Sequence, residues 1–93
     1  MKEIERIIQD MRRSRKWDET DTPEILAKSV VVEAAELLEC YQWGPDADAD
    51  AVKSEVADVL MYAISLCMDM GWDFEEVIKE KITDVAKRYP EIQ

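Results

Sequence analysis

The sequence predicts an all-α protein, a four-helix-type bundle that completes its core as an obligate homo-oligomer. Three observations lead there. Two glycines and three prolines are all that interrupt the 93 residues, and most of them fall where apolar periodicity stops, which excludes turn-rich sandwiches and barrels. Apolar side chains recur at 3–4 spacing through four segments. One of these segments, Val59–Met68, is apolar on nearly every side, more than three short neighbours can cover. At 10.8 kDa the chain makes one domain over residues 1–93, large enough to bury about 60–65% of its unfolded surface.

The first helix is expected from about Lys2 to Lys16, with Ile4, Ile7, Ile8 and Met11 as its apolar stripe. It carries six basic residues: Lys2, Arg6, Arg12, Arg13, Arg15 and Lys16. Residues 17–23 read as a connector, with Asp21 or Thr22 as N-cap and Pro23 in the first turn, where a missing N–H is tolerated. The second helix then runs to about Trp43 and stops at Gly44-Pro45. A third begins within Asp46–Asp50 and continues to Met70, with Gly71 as its C-terminal stop. Asp73 and Glu76 form a capping box for a fourth helix, which ends near Arg88 before Pro90.

Charge and composition remove several function classes. Acids outnumber bases 22 to 12, contrary to the basic surface that a nucleic-acid polymer requires. The absence of histidine removes imidazole bases and most zinc sites. Cys40 and Cys67 make no metal-binding spacing and read as free buried thiols of a reducing compartment. The amino terminus has no apolar signal core, and the apolar run is half the length of a membrane span. A cytoplasmic protein without membrane partners is expected.

Two acid pairs share one spacing, Glu33-x-x-Glu36 and Glu55-x-x-Asp58. With each first acid set at zero on a helical wheel, the apolar residues of both helices fill an arc from roughly 20° to 140°. Glu33 and Glu55 border that arc, and Glu36 and Asp58 lie about 60° beyond it. An antiparallel pairing of the two helices therefore brings four carboxylates to one side of the seam. Two such charges 6 Å apart repel by about 3 kcal/mol at an effective dielectric of 20, so protons or cations must offset them. Oxygen ligands without histidine suit hard ions such as Mg²⁺ or Mn²⁺. Two solvated Glu/Asp pairs are the plainer alternative.

The run Val32-Glu-Ala-Ala-Glu-Leu-Leu-Glu39, followed by Gln42-Trp43, Glu55-Val-Ala-Asp58, Tyr62 and Tyr89-Pro90, resembles the MazG-like nucleotide pyrophosphohydrolases. The likeness runs from Arg15-Lys-Trp17 to Tyr89-Pro90. It implies Mg²⁺-dependent hydrolysis of a nucleoside triphosphate to the monophosphate and pyrophosphate. By the motif, Glu33, Glu36, Glu55 and Asp58 would be metal ligands and catalytic groups. Trp17, Trp43 and Tyr62 would form the base pocket, with core packing the alternative for all three. Lys81, Lys87 and Arg88 stand where the family supplies phosphate contacts. Two positions depart from the family pattern: Asp84 replaces a frequent asparagine, and Asp21-Thr-Pro replaces a frequent histidine. Family members also resemble one another as dimers or tetramers built on the third helix. A rival from another class is a non-catalytic acidic module that oligomerises through that helix and binds a partner.

Overall fold

A computed structural model describes residues 2–92 and contains five helices and no strand among them. Helix α1 spans Glu3–Ser14 and begins with the Lys2 N–H donating to Glu5 Oε1 at 3.0 Å. Glu3 and Glu5 sit at its positive end and Arg12 and Arg13 at its negative end, each matched to the helix dipole. Its buried stripe is Glu5, Ile8 and Arg12, whereas Ile4 and Ile7 are exposed. The expected apolar stripe is therefore rotated, because the arginine stem rather than Ile4 or Ile7 lies against the rest of the fold.

The connector holds one further helical turn. Lys16 takes a left-handed conformation (φ 60°) that reverses the chain, and α2 follows over Trp17–Thr20. Thr22 Oγ1 then accepts from the Ile25 N–H at 3.2 Å, with Pro23 at the first position of α3, Pro23–Glu39. Helix α3 stops four residues short of Trp43. Beyond it the N–H groups of Cys40, Tyr41 and Gln42 bond to the carbonyls three residues back, a tighter winding that leads into Gly44-Pro45. Asp48 caps α4, Ala49–Asp69, by accepting from the Ala51 N–H. At its far end Gly71 (φ 74°) lets the Trp72 N–H reach back to the Cys67 carbonyl, which satisfies the last turn. Asp73 caps α5, Phe74–Arg88, through the N–H groups of Glu75 and Glu76.

Helices α3 and α4 form the most extensive contact, α1 packs on α4 and α2, and α5 meets α4 only slightly. The α3–α4 pairing is antiparallel: Leu26 shares a cavity with Met61, Tyr62 and Ser65, while Glu33 meets Glu55 and Asp58. Lys2 ties the start of α1 to the start of α5 by bridging Asp73 at 3.0 Å and Glu75 at 3.5 Å. Hydrogen bonding to Lys2 is the main cause that holds the Asp73 carboxyl below its usual range.

The fold is open. Its radius of gyration is 15.8 Å, against about 12 Å for a compact chain of this length. Among the described residues Ile8 and Leu26 are the fully buried apolar side chains. The wheel explains why. The acid-proximal part of each apolar arc, with Leu26, Val30 and Leu37 on α3 and Val52, Val59 and Leu66 on α4, is buried or half-buried. The far edge remains exposed, with Leu38 at 72%, Leu60 at 54%, and Val56 alongside. Helix α5 likewise leaves Val77, Ile78, Ile82 and Val85 uncovered.

Leu26, 1% exposed, is the anchor of this small core. Leu26→Ala should cost about 2–5 kcal/mol, and Thr22→Ala about 1 kcal/mol through loss of the N-cap. Chemical denaturation of both variants checks the ranking; equal costs would refute Leu26 as the anchor.

Candidate metal centre

The antiparallel register of α3 and α4 sets Glu33 opposite Glu55 and Asp58. One carboxylate oxygen from each lies within 4.8 Å of the other two, and all three residues are half-buried. Glu33 Oε2 and Glu55 Oε2 are buried and have no hydrogen-bond partner. Glu36 is more exposed but stands close enough to act on both neighbours. Hydrogen bonding to Glu36 is the leading cause that pushes the Glu33 carboxyl up to about 7, followed by burial and by the charges of Glu36, Asp58 and Glu55. For Glu55 burial leads, with Glu36 again the next cause, and its carboxyl is also raised.

These facts satisfy a chemical test for a cation. Buried acceptor atoms without donors are costly, and three converging carboxylates raise one another's pKa because like charges oppose ionisation. Two oxygens bound to one hard cation at about 2.0–2.6 Å can be at most about 4–5 Å apart, the separation seen here. The cluster can hold a divalent metal ion.

The other expected residues divide into two groups. Tyr62 and Trp17 line one small cavity together with Arg12, Asp21, Leu26 and Ser65. The Tyr62 hydroxyl has its pKa raised first by burial and then by the charges of Glu33, Asp21 and Asp58, so the phenol adjoins the acid cluster. The Arg15 guanidinium lies 5.6 Å from the centre of the Trp17 ring. Trp43, by contrast, is 93% exposed. It is not a core residue of this chain.

Lys81, Asp84, Lys87 and Arg88 lie on exposed α5. Asp84 accepts an ion pair from Lys81 at 3.4 Å and from Arg88 at 3.1 Å, so the negative charge that replaces the expected asparagine is matched locally. Among the described residues α5 makes no contact with α3, and the ion pairs of Lys81 and Arg88 stay within α5. Arg12, Asp21 and Ser65 are polar residues of the cavity that the sequence did not point to. Arg12 shares the buried face of α1 with Glu5 and Ile8, which no pattern in the sequence marked.

The chain matches the MazG-like family over residues 28–93. Among curated proteins, dCTP pyrophosphatase 1 of Mus musculus is 28% identical over 100 residues, covering 97% of this chain and 59% of that protein. The Bos taurus protein of the same name is 26% identical with the same coverage. The chain thus spans about three-fifths of the length of these relatives. Among solved structures, a pyrophosphatase from Archaeoglobus fulgidus superposes with a TM-score of 0.84 at 35% identity, covering 96% of this chain and 91% of that one.

The raised carboxyls predict a pH signature with a definite sign. A carboxyl whose folded pKa lies above its unfolded value favours folding at low pH, and that contribution is lost as pH rises from the ordinary carboxylate range through about 7. Without metal, the melting temperature should fall between pH 5 and pH 8 more steeply for wild type than for Glu33→Gln. Millimolar Mn²⁺ or Mg²⁺ should restore it at pH 8 and do less at pH 5.5, where protons compete. Identical slopes for the two proteins, with no metal effect at either pH, would count against the centre.

Proposed function

The chain belongs to the MazG-like family, and on that premise we propose that it is a Mg²⁺-dependent nucleoside triphosphate pyrophosphohydrolase, with Mn²⁺ a possible substitute. The reaction is attack of water on the α-phosphorus, with cleavage of the α–β anhydride bond to give a nucleoside monophosphate and pyrophosphate. The observation that carries the reading is the convergence of Glu33, Glu55 and Asp58 around two buried acceptor oxygens without partners. The names of the relatives, dCTP pyrophosphatase and pyrophosphatase, support the same reading. A solvated acid pair or a purely structural module leaves those oxygens unexplained.

Glu33, Glu36, Glu55 and Asp58 would hold the cation. When bound it supplies charge neutralisation for the triphosphate and electrophilic activation of the phosphoryl group. One of the four would orient the attacking water and take its proton, and Glu36 is the exposed member. Trp17, Tyr62 and Trp43 would contact the base, Trp17 and Tyr62 from the cavity that they share.

The cations of α5 reach a triphosphate only through assembly or a movement of α5, and assembly has independent support. The exposed far edges of the α3 and α4 arcs and the uncovered α5 stripe form apolar surface that a second copy can bury. We therefore read the protein as a homodimer or homotetramer in which Lys81, Lys87 and Arg88 approach the phosphates, with Asp84 holding two of them in place. No helix of the described residues is long and apolar enough to cross a membrane. Nucleotides of the cytoplasm are the proposed substrates, and neither nucleic-acid polymers nor membranes are proposed partners.

Asp58→Asn and Glu55→Gln should each lower pyrophosphate release by at least about 10²-fold with helix content intact, since a ligand charge is lost without a change of shape. Turnover of either variant at the wild-type rate would remove the enzyme assignment. Trp43→Ala should leave the melting temperature nearly unchanged and weaken nucleotide binding by about 1–3 kcal/mol, as for base–aromatic stacking; unchanged KM would exclude Trp43 from the pocket. Leu60→Asp, which places a charge on the exposed edge, should shift sedimentation toward a smaller species than wild type. A monomeric wild type at micromolar concentration would contradict the assembly.

A further inference from the structure

Among the described residues Lys16 is the one non-glycine in the left-handed region, at φ 60°. That conformation crowds the Cβ of a lysine against the following carbonyl, so the strain needs a reason in what it brings together. In an uninterrupted helix Arg15 and Trp17 would point about 160° apart. The reversal at Lys16 brings them together, and the Arg15 guanidinium lies over the Trp17 ring, 5.6 Å from its centre.

The guanidinium is also held from behind. Arg15 Nη1 donates to the Met11 carbonyl at 3.3 Å and to Ser14 Oγ at 3.1 Å, which ties it to the last turn of α1 and the negative end of that helix. Among the described residues it pairs with no carboxylate, although acids outnumber bases 22 to 12. Its charge is left to the indole, whose face attracts a cation. Little else fixes Trp17. It stands on a helix of four residues, none of them buried, and is itself 44% exposed, at the cavity that it lines with Tyr62 and Leu26. A cation over one face of the ring leaves the other face for a flat ligand.

We propose that Arg15 is a positioning residue that covers one face of Trp17 and fixes the indole, so that a nucleobase stacks on the opposite face. The inference rests on the nucleotide reading given above and goes beyond it by naming the group that prepares Trp17 and the ring face that receives the base. An indole already fixed loses less freedom when the base arrives. An exposed arginine thereby strengthens binding without touching the substrate.

The test measures binding by calorimetry, on the full chain with Mg²⁺ and the α,β-imido analogues of four deoxynucleoside triphosphates, which the reaction cannot cleave. Arg15→Ala should weaken the tightest analogue by at least about threefold, the scale of an exposed cation–π contact; a smaller loss overturns the proposal. Arg15→Gln keeps a donor for Met11 and Ser14 without the charge and should bind as poorly as Arg15→Ala. Arg15→Lys keeps a cation that can cover the ring and should bind within about twofold of wild type. Lysine no better than glutamine overturns the proposal. Tripolyphosphate with Mg²⁺ carries no base and should bind wild type and Arg15→Ala alike; an equal loss for tripolyphosphate reveals a phosphate contact instead and also overturns it. The expected pattern of analogue binding without pyrophosphate release from the natural triphosphates would support the Arg15 role while removing the hydrolase reading. Wild type that binds no analogue removes the nucleotide reading and the Arg15 role with it.

Discussion

The structure depends on the face through which α3 packs against α4. The pairing that buries Leu26 beneath Met61, Tyr62 and Ser65 also presses Glu33 against Glu55 and Asp58. Burial and like-charge crowding are therefore coupled: the apolar contact that makes the hairpin cannot form without bringing three carboxylates together. Hydrogen bonding to Glu36, burial and the neighbouring charges push the Glu33 carboxyl up to about 7, so in the absence of a cation the cluster relieves itself with protons. A divalent ion relieves it more completely, since it satisfies the orphaned oxygens as well as the charge.

A second consequence concerns what the hairpin leaves uncovered. Because the seam lies near the acids, the opposite edge of both apolar arcs, with Leu38, Val56 and Leu60, faces outward. The chain has a narrow core and an elongated shape of 49 × 35 × 24 Å. Positioning of the candidate centre and exposure of an apolar surface follow from the same helical rotation. Helix α5 belongs to this economy: its cap is secured by Asp73 and Lys2, while its apolar side is left free to pack elsewhere.

Much of this was legible in the residues. Caps and stops such as Thr22-Pro23, Gly71 and Asp73 act locally, so the sequence marks them where they operate, whereas the cap of α4 at Asp48 was bracketed only within residues 46–50. The carboxylate cluster was legible because two helices with matching wheels admit few pairings. Other features depended on tertiary contact and were not. A lysine at φ 60° followed by one helical turn over Trp17–Thr20 has no apolar period to betray it. The winding of residues 40–42 into three-residue turns hid behind Tyr41 and Trp43, which continue an apolar pattern without being buried. Arg12 was counted only among the basic residues of the first helix, because composition cannot show that an arginine stem packs inward while Ile4 and Ile7 face out.

The central claim is that Glu33, Glu55 and Asp58 hold a divalent cation. Crystals grown with Mn²⁺ and measured at the manganese absorption edge test it most directly. The account predicts an anomalous peak within about 2.0–2.6 Å of an oxygen from each of the three carboxylates. A map in which those carboxylates lie together and saturating Mn²⁺ leaves no peak between them would contradict it.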